Sequence, residues 1–325
     1  MVSRRAGAGA GWRRADAILR SHVYDLGREP MSEAAETRAG PPEPSLEDLM
    51  APTRQPFDLD EALRAKVDAL GLGGTIRSLK EEGYGYVHEV AEPGIEIRVR
   101  ETLLGLCAEG EGVRSVGSAG ANMLLDKDPI IAEVVLNPKL LAVVEVMCGK
   151  GAMISQVAAS VKPEGGAAAG LHADQNWTPA PFPVHNQLVT FCWATDAYDK
   201  ANGSTKVVPK SHLLARHPTM EEIREEPGAI ATECPAGTAV VWGGSIWHGS
   251  YPRSAPGERV VLHVTYSRLA LRPVECYDHL GEDWLADKPY EMRVLLGRED
   301  FLNTTEGAFG GGAEPLMRTF AWAKT

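Results

Sequence analysis

The sequence of 325 residues predicts a mainly β fold with flanking helices, a double-stranded β-helix or jelly roll. Three observations carry this. From residue 152 onward, runs at 152–162, 171–175, 187–196, 205–209, 229–233, 238–242 and 258–268 are apolar or alternate in the manner of strands. The segments between them are rich in Gly, Pro, Asn and Ser, the residues that turns require. Ahead of them, residues 57–147 carry mostly helical spacing. Many short strands preceded by helices fit a rolled pair of sheets with the helices packed on one of them.

Taken in order, the residues of 1–55 are expected to form a disordered N-terminal extension, and 56–325 a single catalytic domain. Arg4, Arg5, Arg13, Arg14 and Arg20 lie among Gly and Ala with no apolar stretch of the kind a secretory signal needs, and Met31 is an alternative start. Residues 31–55 are dominated by Glu, Pro, Ala and Thr, too polar to build a core. A helix is expected over 58–70, where Leu59, Leu63, Val67 and Leu70 share a face and Asp58 is a candidate N-cap. A short helix at 75–82, a strand at 83–90 and a helix at 96–109, weakened by Gly105, follow. A Gly/Ser-rich loop at 110–120 leads to a short strand at 122–125. Two helices, 128–136 and 138–147, meet at Asn137-Pro138. The tail is helical over 283–297 and loop over 302–313, and the chain has no internal repeat.

Net charge is −11, which speaks against a phosphate-backbone partner, so no nucleic-acid role is expected. No apolar run approaches the ~18 residues that span a bilayer, so no membrane role is expected either. The five cysteines (Cys107, Cys148, Cys192, Cys234, Cys276) are scattered, odd in number and free of C-x-x-C pairs. They read as reduced thiols, and a cytoplasmic location is expected.

The chemistry gathers around Leu171-His172-Ala173-Asp174. In an extended strand residues i and i+2 point to the same side, so His172 and Asp174 reach one ion while Ala173 points away. On a helix they would diverge by roughly 200°. His248 follows the apolar run Thr238-Ala239-Val240-Val241-Trp242, and Arg259 opens the strand Val260-Val261-Leu262-His263-Val264-Thr265-Tyr266. Two histidines and a carboxylate (His172, Asp174, His248) form the facial triad that holds Fe(II) and leaves positions open. The step from His248 to Arg259 reads as an antiparallel hairpin returning the arginine toward the metal, where its planar fork would grip a carboxylate.

With these residues in view, the chain resembles the phytanoyl-CoA dioxygenase (PhyH)-like family of Fe(II)/2-oxoglutarate-dependent oxygenases. The resemblance runs from about Glu82 to Asp278. It rests on Asp126-Lys127-Asp128-Pro129, the H-x-D, Asn202-Gly203 with Pro209-Lys210-Ser211-His212, His248 with Arg259, and Arg272-Pro273-Val274-Glu275. It implies a dioxygenase that uses Fe(II), with 2-oxoglutarate and O2 as cosubstrates. Such an enzyme would hydroxylate an aliphatic C–H of a small-molecule or acyl substrate and release succinate and CO2. Related halogenases replace the carboxylate by a small residue; Asp174 argues for hydroxylation or a kindred oxidation.

Within that frame Arg259 and Ser250 are expected to hold the distal carboxylate of 2-oxoglutarate, and Trp193 and Gln156 to line the cosubstrate pocket. Trp177 and Phe182 are expected to wall the substrate side. His185, His212 and His263 compete weakly as ligands; His263 reads as a core histidine. Two other classes stay open: a cupin-like isomerase or hydrolase that needs no 2-oxoglutarate, and a non-catalytic β-sandwich binding module. Neither substrate identity nor oligomeric state is written in the sequence.

Overall fold

Among the described residues, ten strands build two antiparallel sheets: β1 Tyr84–Val87, β2 Ala119–Ala121, β3 Met153–Pro163, β4 Ala169–His172, β5 Leu188–Ala194, β6 Thr205–Val207, β7 Ile230–Ala231, β8 Ala239–Gly243, β9 His248–Ser250 and β10 Glu258–Ser267. The computed structural model describes residues 44–109, 119–175, 177–305, 307 and 310–325. The larger sheet has the order β1-β8-β5-β10-β3-β2, and the smaller the order β4-β9-β6-β7. The expected jelly roll with helices on one sheet is the fold observed.

Helices cover the outer face of the larger sheet. Helix Pro129–Val135 starts where Asp128 caps Ile130 N at 2.9 Å, and helix Pro138–Cys148 where Asn137 caps Lys139 N at 2.9 Å. In both, proline fills the first turn, where its missing N–H costs nothing. The second helix is apolar almost all round because it lies between the sheet and helix Glu61–Ala69. Alternation along the strands then sorts the sheet into two faces. Val157, Val161, Val189, Phe191, Trp193, Leu262, Val264 and Tyr266 join the helices in the main core. Gln156, Lys162, Thr190, Arg259, His263 and Thr265 face the smaller sheet.

Three local expectations are corrected. Helix Leu46–Met50 lies inside the stretch expected to be disordered; Ser45 and Asp48 form a reciprocal capping box, and Arg54 N donates to Lys324 O at 2.7 Å. Asp60, not Asp58, caps helix Glu61–Ala69, accepting from Leu63 N at 2.8 Å. The expected strand at 122–125 is displaced: β2 ends at Ala121, and Leu124 and Leu125 are core residues. Helices Met220–Glu225 and Ala313–Trp322 fall in segments given no element from sequence, and the tail helix divides at Pro289 into Glu282–Leu285 and Tyr290–Leu295. The expectations for residues 1–43, including the alternative start at Met31, and for the loop over 110–118 lie outside the described residues.

A further correction concerns the step from His248 to Arg259. β9 and β10 belong to different sheets, so no hairpin joins them. The connection crosses the gap between the sheets. Arg253, buried in it, holds the crossing by donating to the carbonyls of Ala255, Gly257 (2.6 Å) and Pro256 (2.9 Å) and to Asn202 Oδ1 (3.2 Å). Arg259 therefore approaches the site from the sheet opposite the histidines.

Candidate metal centre and anion pocket

Between the sheets lies a cavity of about 650 Å³. The smaller sheet brings His172 and His248 face to face: they are direct cross-strand partners on β4 and β9, with ring centroids 4.3 Å apart. Asp174 follows two residues after His172, just past the strand, with Oδ1 3.7 Å from His172 Nε2 and 3.4 Å from His248 Nε2. The three ligand atoms lie within 4.8 Å of one another, a grouping that could hold one metal ion. Ala173 turns away, as expected, and is buried with Phe182 and Trp247.

The supporting contacts favour a metal. His172 Nδ1 sits 3.1 Å from Gly170 O, and His248 Nδ1 3.2 Å from Ile246 O. A carbonyl can only accept, so each Nδ1 carries the proton and each Nε2 presents its lone pair to the common point. Asp174 Oδ2 accepts from Thr190 Oγ1 at 3.0 Å and from Trp242 Nε1 at 3.1 Å, which leaves Oδ1 for the centre. Burial pushes the Asp174 carboxyl up, but His248, then His172 and Trp242, outweigh it and hold the group well below the usual carboxylate range. Burial, then the neighbouring His248, lowers His172. Burial also lowers His248, but Asp174 reverses that and raises it.

The larger sheet supplies the other half. Arg259 and Lys162 are direct cross-strand partners on β10 and β3, both buried and both lining the cavity. Like charges placed opposite each other destabilise a sheet pair. Neither cation lies within ion-pair distance of a carboxylate among the described residues. Lys162 Nζ donates to Ser250 Oγ at 2.8 Å and Tyr251 O at 2.9 Å. Arg259 Nη1 donates to Gly203 O at 2.9 Å and Tyr198 Oη at 3.3 Å, while its buried Nε has no partner. Burial, then Arg259 and Lys206, pulls the Lys162 ammonium down to about 8. A pair of uncompensated cations with an orphaned donor is a site built for an anion. Between this pair and the triad stands His263, lowered to about 4 by burial and then by Arg259, and so a neutral imidazole at pH 7.

Of the remaining expected residues, Ser250, Gln156 and Trp177 line the cavity. Ser250 Oγ accepts from both Lys162 Nζ and Ala169 N (3.1 Å), so its own hydrogen is left to donate. Gln156 pairs with Thr265 on β10, in the row that also holds Thr190. Six residues along the strand separate it from Lys162, roughly 20 Å of backbone, so it sits at the other end of the cavity from Arg259, away from the cosubstrate anchor beside which it was expected. Two expectations fail. Trp193 points into the helix-covered core, because alternation along β5 turns Thr190 inward and Val189, Phe191 and Trp193 outward. Phe182 is buried against Ala173 and Trp247, with its ring edge-on to His217 at 4.7 Å, and does not line the cavity. Sequence reasoning missed Lys162, Thr190, Trp242, Tyr198 and Thr265. The signal for Lys162 was available: pairing β3 with β10 by their alternation puts it opposite Arg259.

Comparison with known proteins agrees with this architecture. The phytanoyl-CoA dioxygenase (PhyH) family model matches residues 113–261, and the resemblance expected from the motifs is shown. Among solved structures, the fold is similar to the non-heme alpha ketoglutarate dependent epimerase SnoN from nogalamycin biosynthesis, with a TM-score of 0.53 and 19% identity over 66% of this chain and 88% of that one. It is also similar to HygX from Streptomyces hygroscopicus, solved with nickel, 2-oxoglutarate and hygromycin B, with a TM-score of 0.54 and 15% identity over 65% and 92% of the two chains. Among curated relatives, the dioxygenase aneA of Aspergillus aculeatus is 28% identical over 143 residues, 42% of this chain and 48% of the relative. An uncharacterised protein of Mycobacterium tuberculosis is 24% identical over 110 residues, 34% and 40% of the two chains. The chain thus spans less than half the length of these curated relatives.

Proposed function

We propose that the chain is a non-heme Fe(II)- and 2-oxoglutarate-dependent dioxygenase that hydroxylates an aliphatic C–H of a small-molecule or acyl substrate. One observation carries the reading: a His-Asp-His triad on one sheet faces an uncompensated lysine–arginine pair on the other, across a single cavity. His172, Asp174 and His248 would hold the iron. Arg259, Lys162 and Ser250 would hold the distal carboxylate of 2-oxoglutarate, supplying charge, a planar fork and a neutral donor. Bound there, iron and 2-oxoglutarate supply O2 activation coupled to decarboxylation, with succinate and CO2 as products. The chain's own work is to fix the ligand tautomers, through Gly170 O and Ile246 O, and to anchor the cosubstrate at one end.

The comparisons support this reading. Similar folds bind 2-oxoglutarate together with nickel or Fe3+, and two of them were solved with the small molecules nogalamycin RO and hygromycin B. A cupin-like enzyme without 2-oxoglutarate leaves the Lys162–Arg259 pair with no purpose, and a binding module leaves the triad with none. The five cysteines are all free, which suits a reducing, cytoplasmic setting. No helix among the described residues is long and apolar enough to cross a membrane.

The test is anaerobic titration of the protein with Fe(II) and 2-oxoglutarate. A weak visible charge-transfer band is expected only with both present, and not in Asp174→Ala. Bound iron with no band on adding 2-oxoglutarate would discard the reading. Hydroxylation itself is checked by a product one oxygen heavier than substrate, formed in step with succinate.

A further inference from the structure

β3 and β10 fall out of register at one place. Thr265 pairs with Gln156, but Tyr266 pairs with Ile154, so Ser155 is an extra residue in β3. A β-bulge of this kind turns two neighbouring side chains toward the same face. That is the outcome here: Ser155 and Gln156, adjacent in sequence, both line the cavity. The bulge is fastened from outside. Glu275 N donates to Ser155 O at 2.8 Å and Val274 N to Ser155 Oγ at 3.2 Å. The buried Glu275 carboxylate accepts from Val157 N (2.7 Å), Met123 N (2.8 Å) and Tyr277 Oη (2.6 Å). Gln156 thus sits between two residues that Glu275 pins, Ser155 through the Glu275 backbone N–H and Val157 through its carboxylate.

The groups presented at this end are all neutral. Ser155 Oγ accepts from Val274 N, so its hydrogen remains to donate inward. Thr190 gives its hydrogen to Asp174, so the 3.1 Å contact with Thr265 has Thr265 as donor, which leaves a Thr265 lone pair facing the cavity. The Gln156 amide, with two donors and one acceptor, makes no hydrogen bond among the described residues. Leu188, Val274 and the half-exposed Trp177 complete the lining. The charged lining residues are the triad itself and the Lys162–Arg259 pair at the far end.

We infer that the Ser155–Gln156 bulge is the substrate-reading element, and that it selects an uncharged group bearing a hydroxyl or carbonyl next to the carbon presented to the metal. This rests on the iron and 2-oxoglutarate reading above. An ionic group at this end would lose its water and meet only neutral dipoles, a loss those dipoles do not offset. A hydroxyl or carbonyl matches them in both donor and acceptor sense.

The test uses four probes that differ only in their polar group: cyclohexanol, cyclohexanone, cyclohexanecarboxylate and cyclohexylamine. Each is titrated anaerobically into the full chain loaded with Fe(II) and 2-oxoglutarate, and the shift of the visible band is read. The neutral pair should bind at least roughly tenfold more tightly than either ion. In Gln156→Leu the neutral probes should weaken roughly three- to tenfold, the worth of a net hydrogen bond. Ser155→Ala provides a second, independent variant with the same expected direction. Equal or tighter binding of an ionic probe, no response to the neutral pair, or neutral binding unchanged in both variants would each overturn the inference. If the band never forms, it is the cosubstrate reading that has failed; if it forms and ignores the probes, only the inference on the bulge has.

Discussion

The two ends of the cavity are built on the same pair of strands and in opposite ways. At one end β3 and β10 run in strict register and set Lys162 against Arg259, two buried cations with no acid between them. At the other end the register breaks, and the bulge presents Ser155 and Gln156 with Thr265, which carry dipoles but no charge. The first arrangement suits a ligand that never changes, because ion recognition is strong and tied to one geometry. The second suits discrimination among related neutral molecules, where each hydrogen bond is worth little and only the full set decides. A regular ladder anchors; an irregular one re-aims.

Substitutions along this axis should grade accordingly. The largest effect belongs to the triad between the ends. Asp174→Ala removes a proposed ligand and leaves Thr190 and Trp242 without their acceptor, so iron affinity should fall by more than the ~10–100-fold typical of an outer-shell change, as measured by metal content after dialysis. Next is Arg259→Ala, where the loss of a buried, charge-assisted contact of ~2 kcal/mol or more should raise the 2-oxoglutarate Kd at least ~30-fold. Metal content should not change; if it does, the two halves of the site are not separable.

Lys162 sharpens the comparison through pH. Its ammonium is lowered to about 8, and a bound carboxylate favours the charged form. Affinity for 2-oxoglutarate should therefore be full below about pH 8 and decline as pH rises through that value. Lys162→Arg keeps its charge at every working pH and should flatten the decline; a parallel decline in the variant would assign it to another group. The smallest effect is expected from Ser155→Ala, a few-fold loss in neutral-probe affinity with the 2-oxoglutarate Kd unchanged.

How much of this was legible in the sequence depended on whether a residue's meaning is local. His172 and Asp174 converge on one centre as their two-residue spacing implied, although the strand expected to carry both ends at His172, and Asn137-Pro138 marks a helix start by proline's missing N–H, so both were legible locally. Arg259 was expected near the anion site and lines the cavity, but by a route the sequence misstated. The spacing from His248 fits a hairpin, and only the sheet order shows the chain crossing between layers. Trp193 and Phe182 were misplaced because an aromatic residue next to a motif has two faces to choose between. For Trp193 that choice is made by packing against helices over forty residues away in sequence, and for Phe182 by packing on Ala173 and Trp247. Lys162 went unseen because a lone lysine in a strand carries no signal until its partner strand is known.

The pairing of β4 with β9 has one more consequence. β4 is an edge strand, and its register with β9 is irregular between the Ala169–Ser250 and His172–His248 pairs. The second of those pairs is also two of the three proposed ligands. An ion held there would be a rivet through an irregular edge seam of the smaller sheet, fastening strands whose backbone ladder is interrupted between those two pairs. Iron affinity and the resistance of that seam to fraying would then be one free energy seen from two sides. Amide exchange at residues 169–172 should slow on loading the metal far more than at the central strands of the larger sheet.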